Sequence, residues 1–266
     1  MIIDPKANVV RGVAKLNKKD ARSETGLFLL EGPQGLSEAL DRPKLIVDLY
    51  ATEDAVERHT ELFARAAAAR IDVQLVSEAV LKVMCDTTTP QGILAVCHQM
   101  HSSLESLIES KPQLVALLAN IRDPGNAGTV LRAADAAGAD AVIFSENSVD
   151  VYNPKVVRST TGSLFHLPVV TGVSIEDAIA GLRAAGMQIF AANGGGVLLP
   201  TLDDSDLAKP TVWVMGNEAW GFEQETLDLV DKEVAVPIYG AAESLNLATA
   251  ASICLYASAF VQNGTD

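Results

Sequence analysis

Positive charge is scarce in this chain. Its 266 residues carry 20 Lys and Arg against 34 Asp and Glu, a net charge of −14. That balance excludes a protein that holds nucleic acid by bulk electrostatics alone. Cysteine is scarce too: Cys85, Cys97 and Cys254 are the three, and no Cys-x-x-Cys pair occurs. An odd, widely spaced set reads as structural thiols in a reducing cytoplasm, not as a disulfide framework. Cys97, His98 and His101 lie close together, but no fourth ligand or zinc spacing accompanies them, and His59 and His166 add no pattern. No metal is therefore expected. Neither Gly-x-Gly-x-x-Gly nor a P-loop occurs, which excludes the usual fingerprints for dinucleotides and nucleotide phosphates. No apolar stretch follows a basic region at the N-terminus, so no signal peptide is expected. The longest uncharged run, Ser244 to Gly264, is rich in Ala and Ser. It reads as a buried or dimer-packing helix, not a membrane span.

What is present supports a large core. Apolar residues make up 48% of the chain and charged residues 20%, a composition of folded rather than disordered protein. The length allows one large domain or two ordinary ones. Charge is unevenly placed. Lys6, Arg11, Lys15, Lys18, Lys19 and Arg22 face only Asp4 and Asp20 in the first 22 residues, so that stretch carries +4 and the remainder −18. A basic end on an acidic body can still make a local phosphate contact.

Apolar runs alternate with helical stretches. Residues 13–25 predict a polar, basic helix. Strands are predicted at 27–30, 45–50, 73–76 and 93–97, with helices at 34–40 and 52–70 and another capped by Ser77. The polar stretch 98–112 marks a joint, giving an N-terminal domain at 1–107 and a second domain at 108–266. In the second half, strands are predicted at 114–118, 141–144, 187–191, 212–215 and 234–236, with a short one beginning at 169. Helices are predicted at 127–137, 154–161, 175–185 (capped by Ser174), 223–230 and 247–261. Continuous apolar strands with intervening helices imply an α/β fold with a mostly parallel sheet covered on both faces. Gly194-Gly195-Gly196 reads as a flexible turn after a strand.

Three short motifs stand out, each at a turn before a helix. The first runs Asn120 to Arg132 and contains Asp123-Pro124-Gly125-Asn126; the second runs Val214 to Phe222 and contains Gly216-Asn217-Glu218; the third runs Val236 to Ala248 and contains Ser244-Leu245-Asn246. A core needs none of this chemistry. In open parallel sheets, ligands sit outside the carboxyl ends of strands, where all three motifs fall. Glycines permit close backbone approach, and a helix start offers free N–H groups. Arg132 lies in an otherwise mostly apolar stretch, on a face expected to be buried, where a cation needs an ion-pair partner or a substrate. Glu218 suits a bond to a neighbouring N–H or to an arginine. Ser244 suits either a helix cap or a site hydroxyl. No histidine accompanies it in a triad arrangement, so hydrolase chemistry is disfavoured.

In their order and spacing these motifs resemble those of the SpoU/TrmH-type RNA 2′-O-ribose methyltransferases of the SPOUT class. The likeness covers roughly residues 108–266. Glu24 to Gly32 and Thr89 to Ile93 resemble the RNA substrate-binding domain of ribosomal-RNA members, including thiostrepton-resistance-type enzymes. The resemblance implies S-adenosylmethionine as cofactor, a trefoil knot in the second domain and a homodimer with its site near the interface. It implies a catalytic arginine at Arg132, with Asn126, Glu218, Ser244 and Asn246 shaping the same pocket. Asn193, Gly216, Val236, Ile238 and Leu245 match cofactor-lining positions, and Arg158 matches a basic RNA-contacting one. With Arg158, the N-terminal Lys15, Lys18, Lys19 and Arg22 complete the expected RNA surface. The implied reaction is attack of a ribose 2′-hydroxyl on the activated methyl group, where positioning supplies much of the acceleration. Arginine holds its proton up to about pH 12, so the arginine suits stabilising a developing alkoxide or orienting a phosphate better than acting as a free base. The added N-terminal domain favours a large ribosomal RNA over tRNA; a non-catalytic RNA-binding protein on the same fold is a further alternative.

Overall fold

The computed structural model describes residues 1–264. The chain forms two compact units. One comprises Met1–Met100 together with Tyr152–Phe165; the other comprises His101–Val151 and the chain from His166 onward. The joint expected within 98–112 thus parts at Met100/His101, and the Leu104–Glu109 helix belongs to the second unit.

The first unit is built on four strands: β1 (Leu27–Glu31), β2 (Ile46–Ala51), β3 (Val73–Leu75) and β4 (Ile93–His98). Their order is β1-β4-β2-β3, with β4 antiparallel to both neighbours and β2 parallel to β3. The all-apolar stretch of β4 follows from its central place, where both faces are covered. Leu29, Tyr50, Leu94 and Val96 pack with Val10, Val13, Val80, Leu81 and Met84 from the flanking helices. Ser77 caps the Glu78–Met84 helix, its side chain accepting from the Val80 N–H, as its residue type predicts.

Two predicted helices prove to be broken. The basic stretch forms Asn8–Lys15 and Lys19–Thr25, and the 52–70 stretch divides at His59 into Glu53–Arg58 and Thr60–Ala68. Uniformly helix-favouring composition carries no signal for such a break. The Pro154–Thr160 helix, capped by Asn153 with proline at its first turn, completes this unit. Phe28 meets Tyr152 at 4.8 Å between ring centroids. The Tyr152 hydroxyl donates to the Met100 carbonyl and accepts from its N–H at 2.7 Å.

The second unit holds β5 (Leu114–Leu118), β6 (Ala141–Ser145), β7 (Val169–Val173), β8 (Gln188–Leu198), β9 (Thr211–Met215) and β10 (Lys232–Ala235). All neighbours pair in parallel, in the order β10-β8-β9-β5-β6-β7. The chain therefore starts centrally, builds outward through β6 and β7, and then crosses to the other side. One sheet face buries Val115, Leu117, Ile143, Val212 and Val214 with Ile179 and Leu182. On the sequence's last helix, Leu247–Gln262, Ala251, Cys254, Leu255 and Ser258 are buried. Trp213 is fully buried there and donates its indole N–H to Ser258 Oγ at 3.0 Å. No helix among the described residues is long and apolar enough to cross a membrane.

The Gly194–Gly196 turn is a correction. These residues lie within β8, which runs on to Leu198. Pairing with β10 jumps from Ala191↔Glu233 to Val197↔Val234, so the chain between Ala191 and Val197 bulges out of register. At Gly196 a Cβ would stand 2.3 Å from the Glu233 carbonyl carbon. Glycine is needed for that close approach, not for flexibility. The predicted 223–230 helix shrinks to Gln224–Leu227.

The three cysteines are free and buried. Desolvation pushes each thiol up to about 12, and at Cys85 the Glu31 carboxylate adds to it. Since the thiolate is the reactive form, a disulfide reagent at pH 8 is expected to leave the native protein unlabelled and to modify all three thiols after denaturation. Rapid native labelling would contradict this burial.

Candidate active site

Within the second unit the three motifs leave the carboxyl ends of strands on one side of the sheet, β5 and β9 side by side and β10 one strand beyond. The first follows β5, the second β9 and the third β10. They enclose a cavity of ≈ 490 Å³, within the range of about 300–1,000 Å³ usual for small-molecule sites.

Each loop is built by local chemistry. Asn120 takes a positive φ of 56°, a conformation asparagine tolerates better than most residues. Its N–H donates to Ser145 Oγ at 2.9 Å. Asp123 caps the Pro124–Ala136 helix, accepting from the Asn126 N–H at 2.7 Å. In the second motif, Asn217 and Gly221 exchange backbone hydrogen bonds of 2.7 and 2.9 Å across a tight turn. The buried Asn217 amide reaches back to the Asn120 carbonyl at 2.6 Å. In the third, Asn246 rather than Ser244 caps the final helix, its Oδ1 accepting from the Ala248 N–H at 2.9 Å.

A relay of side chains ties the motifs together. The Glu218 carboxylate accepts from the N–H groups of Arg122 and Asp123, each at 3.2 Å, and from Asn126 Nδ2 at 3.4 Å. Asn126 Oδ1 in turn accepts from Asn246 Nδ2 at 2.9 Å. The helix start expected to offer free donors to an anion is thus already served by Asp123 and Glu218. A carboxylate is well placed at a helix N-terminus.

Asn126, Glu218, Ser244 and Asn246 all line the cavity. So do Asn193, Gly216, Val236, Ile238 and Leu245. Asn193 Nδ2 donates to Glu233 Oε2 at 2.7 Å. Sequence reasoning missed Ala192, Val234 and Ala250, which also line it, and gave Gly194, Phe222, Glu243 and Leu247 no part in the site although it had quoted them. Their signal was adjacency: most stand beside a residue already singled out.

Arg132 does not line this cavity. The buried face of its helix is Ala127, Gly128, Val130, Leu131 and Ala134. Arg132 follows Leu131 by about 100° of rotation and is exposed. The expectation of a buried cation is therefore corrected: with water around it, the guanidinium needs no partner for folding.

The basic residues in the first unit separate likewise. Lys15, Lys18 and Lys19 are exposed. Arg22 is only 2% exposed and donates to the Leu16 carbonyl at 2.9 Å, which makes it an internal brace. Arg158 is engaged by Glu31 at 3.0 Å and Asp86 at 2.8 Å. Among the described residues no group of His, Cys, Asp and Glu is arranged to hold a metal.

Residues 113–256 match the SpoU rRNA Methylase family, and residues 29–102 match the RNA 2′-O ribose methyltransferase substrate binding domain. The chain is 34% identical to the 23S rRNA (guanosine(2553)-2′-O)-methyltransferase RlmP of Bacillus subtilis, over 93% of this chain and 94% of that protein. It is 30% identical to the 23S rRNA (uridine(2479)-2′-O)-methyltransferase of Streptomyces viridochromogenes, over 91% and 86%. An AdoMet-bound rRNA methyltransferase from Sinorhizobium meliloti has a similar structure, with TM-score 0.84 and 32% identity over 97% of this chain and 96% of that one. The AdoMet complex of AviRb from Streptomyces viridochromogenes gives TM-score 0.81 and 28% identity over 95% and 98%.

Proposed function

Because this chain belongs to the SpoU rRNA methylase family, we propose that it transfers the methyl group of S-adenosylmethionine to a ribose 2′-hydroxyl of ribosomal RNA. The observation that carries this reading is the convergence of the three motifs, through Glu218, Asn126 and Asn246, on one cavity at the carboxyl ends of β5, β8, β9 and β10.

The residues present fit the cofactor. Val236, Ile238 and Leu245 offer apolar surface, while Asn193, Asn217 and Ser244 offer polar atoms. At Gly216 a Cβ would stand 2.7 Å from the Gly221 carbonyl oxygen, so only glycine keeps that wall in place. When bound, S-adenosylmethionine supplies a methyl group already activated on a sulfonium. The chain's task is then to hold the ribose 2′-oxygen in line and to stabilise it as its proton passes to water. Asn126 and Asn246 offer amide groups at the cavity, and Glu218 fixes the loop that carries Asn126. Arg132 supplies the positive charge for the developing alkoxide.

Since Arg132 lies outside its own chain's cavity, this role is best served in a homodimer, where a second copy brings the guanidinium to the site. Exposed Ile253 and Phe260 on the last helix are consistent with such pairing. Membership of the SpoU family supports a trefoil-knotted chain path in this unit. In the first unit, Lys15, Lys18 and Lys19 are among the exposed cations and suit RNA phosphates. Three unpaired thiols and a ribosomal substrate favour the cytoplasm.

The test is transfer of labelled methyl from S-adenosylmethionine to unmodified ribosomal RNA and, separately, to tRNA. Label in ribosomal RNA supports the reading. Label in tRNA alone would reassign the substrate, and cofactor binding without transfer to either would point to a non-catalytic RNA-binding role.

A further inference from the structure

The cavity's charge poses a problem for its substrate. The charged side chains lining it are Glu218 and Glu243, and the chain as a whole carries −14. This chain's own cavity lining thus offers a phosphate no ion-pair partner, and beside the charge of Arg132 a nucleotide at this site needs a hold that does not depend on ion pairing.

Two aromatic side chains stand where such a hold would be needed. Trp220 is 53% exposed and Tyr239 90% exposed. The chain has only 2 Trp and 4 Tyr, and the other Trp, Trp213, is fully buried. Rings of this size left in water forgo a large stabilisation by burial. Both belong to loops that wall the cavity: Trp220 lies between the lining residues Glu218 and Gly221, and Tyr239 follows the lining residue Ile238. Neither makes a ring contact or a side-chain hydrogen bond among the described residues.

The Trp220 loop is stiff. Asn217 and Gly221 close it with two backbone hydrogen bonds, Ala219 N–H donates to Asn217 Oδ1 at 2.8 Å, and Asn217 is anchored to Asn120. A ring on such a tip is held ready at little entropic cost on binding.

Sequence-specific RNA recognition mostly targets nucleotides of loops and bulges that are splayed from the stack, and such a nucleotide can turn its ribose into a cavity. The unstacked base then needs a new π-surface. Aromatic side chains provide one without requiring positive charge. We propose that Trp220 and Tyr239 form the stacking platform for the base of the nucleotide to be methylated, a reading that rests on the proposed function. The platform holds the base outside the cavity while its ribose faces in.

The test is steady-state methyl transfer with in vitro-transcribed large-subunit ribosomal RNA and the full chain. Trp220→Ala and Tyr239→Ala are each expected to lower kcat/KM for RNA by about tenfold or more. Trp220→Phe and Tyr239→Phe should stay within about threefold of wild type, because the π-face remains. Calorimetric affinity for S-adenosylmethionine and the oligomeric state should not change in any variant. Unaltered kcat/KM in both alanine variants overturns the proposal. So does a loss that tracks weakened cofactor affinity or a changed oligomeric state, since the rings would then serve the cofactor or a subunit contact.

A second readout is independent of turnover. With Trp213 buried, RNA added to the cofactor-bound protein should quench the Trp220 emission, and Trp220→Phe should abolish the change. Absence of quenching overturns the platform. If the wild-type protein transfers no methyl to any RNA, the proposed function fails on that result, and the quenching experiment still decides the stacking.

Discussion

Arg132→Ala is expected to lower kcat for methyl transfer to ribosomal RNA by about 100- to 1,000-fold, the range for removing one electrostatic stabiliser of a transition state. Affinity for S-adenosylmethionine should remain within about twofold, because Arg132 does not line the cavity. Its exposure among the described residues means that folding should be unaffected, and surface substitutions of this kind usually change stability by about 0.5 kcal/mol or less. Arg132→Lys should recover little if planar guanidinium geometry matters; full activity in that variant would count against such a role. Subunit mixing tests where the residue acts. If Arg132 serves the site of a second copy, co-expressing Arg132→Ala with Gly216→Ala chains should restore about a quarter of wild-type turnover at an S-adenosylmethionine concentration too low to load the Gly216→Ala cavity, since half the dimers are mixed and one of their two sites is whole. Activity no higher than that of the separate variants would place Arg132 in the service of its own chain's cavity.

The Gly216→Ala substitution itself should raise the dissociation constant for S-adenosylmethionine by more than about tenfold. The added methyl would meet the Gly221 carbonyl oxygen at 2.7 Å and Phe222 Cε2 at 2.9 Å. The first of these is backbone in a hydrogen-bonded turn, so the whole Asn217–Gly221 loop must shift. Overpacking of this kind costs about 1–3 kcal/mol, and here the displaced atoms line the cofactor cavity. Gly240→Ala is the matched control: it lies in the third motif, yet nothing stands within 4 Å of its added Cβ. Calorimetry should show near-normal affinity in the control and weak binding in Gly216→Ala. Equal affinities would mean that the turn yields freely and does not shape the site.

Local physics made much of this protein legible. Leu114–Leu118 and Thr211–Met215, each apolar from end to end or nearly so, are buried at every position, as central parallel strands should be. Ser77, Ser174 and Asp123 cap the helices that follow them. The motif glycines and asparagines marked the loops that line the cavity, because their chemistry is superfluous in a core. In each case the cause lies within a few residues of the effect, and periodicity or a turn preference can report it.

What escaped the sequence depends on partners distant along the chain. Arg22 and Lys19 are neighbours in one basic stretch, yet Arg22 is buried against the Leu16 carbonyl while Lys19 meets water. Arg132 lies in an apolar stretch but faces out, since only packing decides which side of a helix the sheet covers. Gly194–Gly196 became part of a bulged strand because β10 lies beside it. Tyr152 joined the first unit because its ring found Phe28, far earlier in the chain. The sequence by itself thus determined the elements, the caps and the residue types of the site. Only the tertiary structure decided the strand order, the burial of each charge and the relay from Glu218 through Asn126 to Asn246, whose links span 92 and 120 residues. Such links form only when the whole chain has closed on itself, and no local preference encodes which distant group will then lie within hydrogen-bond reach.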